Sequence, residues 1–233
     1  MVYLIPSTLQ EDSVETIPLY VKQAVQACQL FFVEEERTAR RFLKKLIPEI
    51  RIDDHEWVRI PPPDQEAEQV RQRFLQALNA GKTIGVISEA GCPGVADPGQ
   101  ELVALAHQQH HPVKPLVGPN SIVLALMASG LNGQVFAFNG YLPIAAPERI
   151  KCIQELELIS ARKKMTQIFM ETPYRNNALV SALLNTCKKN TRLCLAANLT
   201  GPEEFIQTRT IGEWKTSPPD LHKRPTIFLL LAE

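Results

Sequence analysis

With 233 residues, 45% of them apolar and 21% charged, the chain is long enough for one large domain or two small ones of ordinary soluble composition. No apolar run approaches membrane-spanning length and Met1–Pro6 is too short and uncharged for a signal peptide. The cysteines form no Cys-x-x-Cys pair, so a cytoplasmic protein with reduced thiols is expected. The 25 basic and 25 acidic residues cancel, which denies the chain an overall positive field for nucleic acid and leaves only local patches.

Strand signals fall at 2–6, 30–34, 83–88 and 113–117, with helical periodicity near 18–28, 36–46, 64–80 and 98–110 between and after them. This alternation predicts a mostly parallel sheet covered on both faces. Arg37, Arg40, Arg41, Lys44 and Lys45 recur at helical spacing in 36–46, as a solvated face or as a contact for a polyanion. Residues 59–64, with Pro61-Pro62-Pro63, read as an extended linker. Pro115–Pro119 is the best boundary, giving an N-terminal α/β domain over 1–117 and a C-terminal α/β domain over 118–233. Beyond it, strands are predicted at 135–141, 166–171, 192–198, 204–210 and 226–232, and helices near 119–130, 147–162, 173–188 and 211–215. The last two strands have no long helix between them, so a mixed or antiparallel sheet is expected there. Arg162-Lys163-Lys164 and Lys188-Lys189 are further basic clusters.

The most informative stretch runs from Ile84 to Gly99, a buried strand passing into a Gly/Pro-rich loop. Asp97 is placed as N-cap of the following helix, Pro98 at its first position, and Gln100 as its capping-box partner. A loop at the carboxyl end of a parallel strand is where open α/β sheets bind ligands, and small residues there let a ligand approach the bare backbone. Other patterns carry no chemistry. Ala80-Gly81-Lys82-Thr83 closes a helix where a phosphate-binding loop would open one. His107, His110 and His111 have no carboxylate or Cys beside them and suit an exposed helix end, so no metal is expected. No G-x-G-x-x-G or G-x-S-x-G occurs, which removes the simple dinucleotide and hydrolase readings.

Ser88-Glu89-Ala90-Gly91-Cys92-Pro93, followed by Asp97-Pro98-Gly99, resembles the Ser-Asp-Ala-Gly-x-Pro-x-x-x-Asp-Pro-Gly signature of the tetrapyrrole-methylase superfamily of S-adenosylmethionine-dependent methyltransferases, with Glu89 in place of Asp. More segments follow in the family's order. They are Glu34–Arg40, Pro115–Ser121 with Ala128–Leu131, Phe138–Pro143, Phe169–Arg175 and Ala197–Thr200, and they are most similar to the branch that methylates ribose 2′-hydroxyls of small-subunit ribosomal RNA.

The resemblance implies two α/β domains with a cofactor cleft between them, a homodimer, and S-adenosylmethionine as cofactor. Ser88, Glu89, Ala90, Gly91, Val95, Ala96 and Asp97 would line the cofactor, joined by Ser121, Met170, Glu171, Asn198, Leu199, Pro225 and Thr226. A methylated hydroxyl must lose its proton, so a nearby base helps. Glu34 and Glu35, opposite Arg37, are the candidates, although such a cluster also suits a helix start.

Departures from the pattern lie elsewhere. Pro6-Ser7-Thr8-Leu9-Gln10-Glu11-Asp12 stands where the family has Pro-Ile-Gly-Asn, Pro61–Glu66 replaces its His-Asn-Glu segment, and Ala197-Asn198 replaces its Arg-Glu. Arg224-Pro225-Thr226 stands for Lys-Gly-Glu, and the helical extension of that branch is not expected after 226–232. These changes leave the acceptor open among ribosomal RNA, a tetrapyrrole or other small molecule, and none at all in a cofactor-binding paralogue.

Overall fold

The computed structural model describes residues 1–61 and 68–233. Pro62, Pro63 and Asp64 of the expected linker, the first residues of the expected 64–80 helix, and part of the Pro61–Glu66 departure lie outside the described residues. The chain divides into two compact units, Met1–Asn120 and Ser121–Glu233, each built on its own sheet.

The first unit runs β1 (Val2–Ile5), α1 (Tyr20–Ala27), β2 (Leu30–Val33), α2 (Glu36–Leu46), β3 (Glu56–Arg59), α3 (Glu68–Asn79), β4 (Ile84–Ile87), α4 (Gln100–Gln108) and β5 (Val113–Pro115). The sheet order is β3-β2-β4-β1-β5 and every pairing is parallel. Strands β2 and β4 are buried along their whole length, as central strands covered on both faces must be. Alternation along β2 divides its side chains between two cores. Phe31 and Val33 join Val21, Leu43 and Ile47 on one face, while Leu30 and Phe32 join Phe74, Leu78 and Leu102 on the other. Helix α2 docks through Ala39, Phe42, Leu43 and Leu46, an apolar stripe of helical period, and leaves Arg37, Arg41 and Lys44 exposed.

Strand β3 escapes the sequence pattern. It is a four-residue edge strand flanked by charged Glu56 and Arg59, where a linker from 59 onward is all that composition suggests. Trp57 secures it by stacking on Phe31 at 4.9 Å, with the Arg40 guanidinium 5.2 Å over the indole.

The second unit runs α5 (Ser121–Ser129), β6 (Phe136–Tyr141), α6 (Ala146–Lys163), β7 (Thr166–Met170), α7 (Asn176–Thr186), β8 (Arg192–Ala197), β9 (Phe205–Thr210), α8 (Ile211–Thr216) and β10 (Thr226–Leu231). Its order is β6-β7-β10-β8-β9, with β6 parallel to β7 and the other pairs antiparallel, the mixed sheet expected from the close succession of the last strands. Strand β10 is central and wholly buried. Phe169 and Phe228 stack at 5.9 Å in a core with Leu179, Leu183, Leu195 and Trp214, whose indole N–H donates to the Leu193 carbonyl at 2.9 Å. The short α8 is held by a capping box between Thr210 and Glu213. All five cysteines are free thiols, and no helix among the described residues is long and apolar enough to cross a membrane.

Candidate active site

At the carboxyl end of β4 the chain leaves the sheet through Ser88 and turns back across the end of β1. Ser7 and Gly91 exchange backbone hydrogen bonds at 2.9 and 3.2 Å, and the Ser7 hydroxyl donates to the Ser88 carbonyl at 2.8 Å. The first loop, which lacks the family's glycine, is thus sewn to the glycine loop by a buried serine. Gly91 has φ +76° with the Leu9 side chain and the Pro119 carbonyl against it, so any side chain there would be strained and crowded. Glu89, Ala90, Val95 and Ala96 are exposed, while Ser88 is buried.

The expected helix cap at Asp97 is not formed. Helix α4 starts at Gln100 with Gly99 at its N-cap, and Gly99 lends no side chain, so neither Pro98 nor Gln100 takes its predicted capping position. Asp97 Oδ1 instead accepts from the N–H of Gly99 at 2.7 Å and of Gly94 at 3.2 Å, closing an Asx turn that cinches the loop. The bond to the amide two residues on is one a cap could make, but the helix begins too late for Asp97 to be its cap.

The structure separates Glu34, Glu35 and Arg37. Glu35 caps α2, accepting from the Arg37 N–H at 3.3 Å, with Arg59 at 3.7 Å, and the Arg37 side chain is exposed on α2. Glu34, at the end of β2, turns to the glycine loop, where its Oε1 accepts from the Glu89 N–H at 3.0 Å. Its carboxyl also lies against Asp97, whose Oδ2 is buried and takes no bond from an amide or ammonium. Two acids can bond there only if one keeps its proton. The group whose carboxyl is raised is Glu34. Burial and the bond to Asp97 raise the Glu34 carboxyl from 4.5 to about 7, against the opposing pull of the Glu89 N–H.

In the second unit the expected residues gather at one end of the sheet. Met170 ends β7, and Glu171 follows with a fully buried side chain. Glu171 Oε1 accepts from the Thr172 N–H at 2.7 Å and from Arg175 at 2.9 and 2.7 Å, while its Oε2 is buried and receives no donor. Thr226 opens β10, the strand next to β7, and Asn198 follows β8 with φ +51° and donates to the Pro225 carbonyl at 2.9 Å. Leu199 is buried, and Ser121, half-buried, is the first residue of α5. Asn176 joins this set although nothing in the sequence singled it out. Its buried amide donates to the carbonyls of Leu221 and Arg224 and to the Thr226 hydroxyl, and so holds the Pro225–Thr226 turn in place.

S-adenosylmethionine tests this chemistry, since it offers an ammonium, ribose hydroxyls, an adenine amino group and a sulfonium, all donors or cations. The residues fit such a group. Within the second unit, Glu171 Oε2 and Asn176 Oδ1 are buried acceptors without a donor, at or beside the expected positions. A cavity of ≈ 290 Å³ lined by Asn132, Lys164 and Arg192 lies at the opposite end of β8 and β10 and contains none of these residues.

A wholly parallel α/β sheet with a glycine loop at the carboxyl ends of its strands is an architecture that places small ligands at that edge. The chain matches the family model described as Tetrapyrrole (Corrin/Porphyrin) Methylases over residues 12–215, and it belongs to that family. It is 32% identical over 170 residues to a Vibrio cholerae protein named ribosomal RNA small subunit methyltransferase I, covering 72% of this chain and 58% of the relative. It is 30% identical over 192 residues to the Synechocystis protein of the same name, covering 81% and 64%. The chain therefore spans less than two thirds of the length of these curated relatives. Among solved structures it is similar to uroporphyrin-III C-methyl transferase from Thermus thermophilus complexed with S-adenyl homocysteine. That likeness covers 99% of this chain and 96% of the other, with TM-score 0.57 and 16% identity, and shows the shared fold.

Proposed function

We propose that the protein is a cytoplasmic S-adenosylmethionine-dependent methyltransferase that works as a homodimer and methylates RNA, with a ribose 2′-hydroxyl as acceptor. The observation that carries this reading is the family match over residues 12–215, which contains the glycine loop. The names of the Vibrio and Synechocystis relatives support the RNA acceptor.

In this reading Ser88–Gly91 and Val95–Asp97 in the first unit, and Ser121, Met170, Glu171, Asn198, Leu199, Pro225 and Thr226 in the second, bind the methyl donor. The bound donor supplies an electrophilic methyl group for in-line displacement, a step that depends on alignment and on exclusion of water. Asp97 fixes the loop through Gly94 and Gly99, and its carboxyl group lies against that of Glu34. Glu34, tethered at Oε1 by the Glu89 N–H, takes the hydroxyl proton once its own is released near neutral pH. Glu35 and Arg37 act in this scheme through the start of α2, by capping and by charge.

The test is transfer of labelled methyl from S-adenosylmethionine to ribosomal RNA, with the Glu34→Gln variant alongside. Transfer that falls about 100-fold or more in the variant, with donor binding retained, is the expected result. A tetrapyrrole acceptor is the second reading, favoured by the zero net charge, and label appearing only in a porphyrinogen would replace the first with it.

A further inference from the structure

Helix α2 carries five basic residues and one acidic residue in Glu36–Leu46, in a chain whose overall charge is zero. Arg37, Arg41 and Lys45 recur every fourth residue, on a stripe that turns away from the buried Phe42, Leu43 and Leu46. This is the geometry of a helix face presented to a line of phosphates. Part of it is already engaged. The Ser13 N–H donates to the Gln10 carbonyl at 3.1 Å, closing a turn whose two central residues are Glu11 and Asp12. Both carboxylates reach α2. Glu11 Oε1 meets Arg41 Nη1 at 3.2 Å and Lys45 Nζ at 3.0 Å, and Asp12 Oδ1 meets Lys45 Nζ at 2.8 Å.

We propose that the Glu11–Asp12 turn is an internal phosphate mimic that covers the Arg41–Lys45 end of the α2 face and must be displaced before an RNA strand can lie along it. Two adjacent carboxylates on a tight turn present successive anions to the same two cations that a nucleic-acid backbone would use. The hydrogen bond from Lys45 holds the Glu11 carboxyl below its usual range, and the bond to Asp12 raises the Lys45 ammonium, so Glu11 and Lys45 stay ionised at neutral pH. The clasp is also releasable. Asp12 is 95% and Glu11 60% exposed in their side chains, and ion pairs so open to water are weak and screened by salt. Phosphates, held by several cations at once, can replace them. The turn lies a few residues beyond Ser7, which is sewn to the glycine loop, so the mimic sits on the segment that borders the proposed donor site.

The proposal rests on the RNA-acceptor reading and is tested by fluorescence anisotropy with a labelled oligouridylate over a range of salt, alongside calorimetric titration with S-adenosylmethionine. The double variant Glu11→Gln, Asp12→Asn is expected to bind the oligonucleotide about threefold to tenfold tighter than the wild type. Glu148→Gln, Glu155→Gln, which removes the same charge from exposed positions of α6, is expected to stay within about twofold. Arg41→Gln, Lys45→Gln should bind more weakly, with a salt slope shallower by about 1.4, the share of two phosphate contacts. Wild-type binding that the first variant leaves unchanged, or that the α6 control strengthens equally, overturns the mimic and leaves the RNA acceptor standing. Oligonucleotide binding by none of the proteins, with donor titration intact, refutes both together.

Discussion

The half-buried acid pair at the glycine loop makes a prediction about stability whose sign is fixed by chemistry. Replacing Glu34 by Gln keeps an acceptor for the Glu89 N–H and supplies an amide donor toward Asp97 Oδ2, so it imitates the protonated acid without its ionisation. The wild-type carboxyl has been moved from 4.5 to about 7, so between those values the folded state holds a proton that the unfolded chain has lost. The resulting stability is fully present below pH 4.5 and is lost as pH rises through 7. A displacement of that size corresponds to roughly 3.4 kcal/mol, and since Glu34 is only half-buried, screening by water reduces it to about 1–2 kcal/mol. The Gln variant does not titrate. Relative to the wild type, it should therefore gain about 1–2 kcal/mol between pH 5 and pH 8.5, and be the more stable protein at the upper end. Urea unfolding at the two pH values measures this, with Trp57 reporting on the first unit and Trp214 on the second. A difference between variant and wild type that does not change with pH would refute the shared proton, as would a variant that loses stability as pH rises.

Three further outcomes follow from single contacts. Gly85→Ala places a methyl 2.6 Å from Phe31 Cδ1 and 2.8 Å from Ile5 Cδ1, so overpacking should cost about 1–3 kcal/mol in urea unfolding. A loss below about 0.5 kcal/mol would mean that the β2–β4–β1 core is looser than its burial indicates. Asp97→Ala frees the N–H groups of Gly94 and Gly99, and calorimetry should find affinity for S-adenosylmethionine lowered at least about tenfold with the fold retained. Unchanged affinity would make the Asx turn irrelevant to the ligand. Glu171→Gln keeps the shape but weakens the bond to Arg175 and removes the buried charge at Oε2. Donor affinity should fall about tenfold or more at constant ionic strength, and an unaffected titration would remove Glu171 from the site.

The elements that bury side chains on both faces were legible before any coordinates. Leu30–Val33, Ile84–Ile87 and residues 227–231 are short continuous apolar runs of the kind central strands need, and the helices between them show their buried stripes at the right period. Strand β3 was not, because an edge strand owes its pairing to the neighbour it meets. Glu56 and Arg59 carry no β signal, and it is Trp57 against Phe31 that makes the strand. The site was legible as a stretch of chain and misread in detail. An Asp before Pro and Gly reads equally as a helix cap or an Asx turn, and the choice lies in where the helix begins, here only at Gln100. Asn176 and Ser7 carried no local signature, since their partners at Leu221, Arg224 and Thr226, and at Ser88 and Gly91, are brought to them only by the sheets. The partnership of Glu34 with Asp97 is of the same kind, since it needs β2 and β4 side by side.

Titration calorimetry of the purified protein with S-adenosylmethionine and S-adenosylhomocysteine tests the central claim most directly, with the Asp97→Ala and Glu171→Gln variants verified as folded. The account predicts binding at micromolar level by the wild type, weakened in both variants. Absence of binding by the folded wild type would contradict it, and would leave the glycine loop a structural inheritance without its ligand.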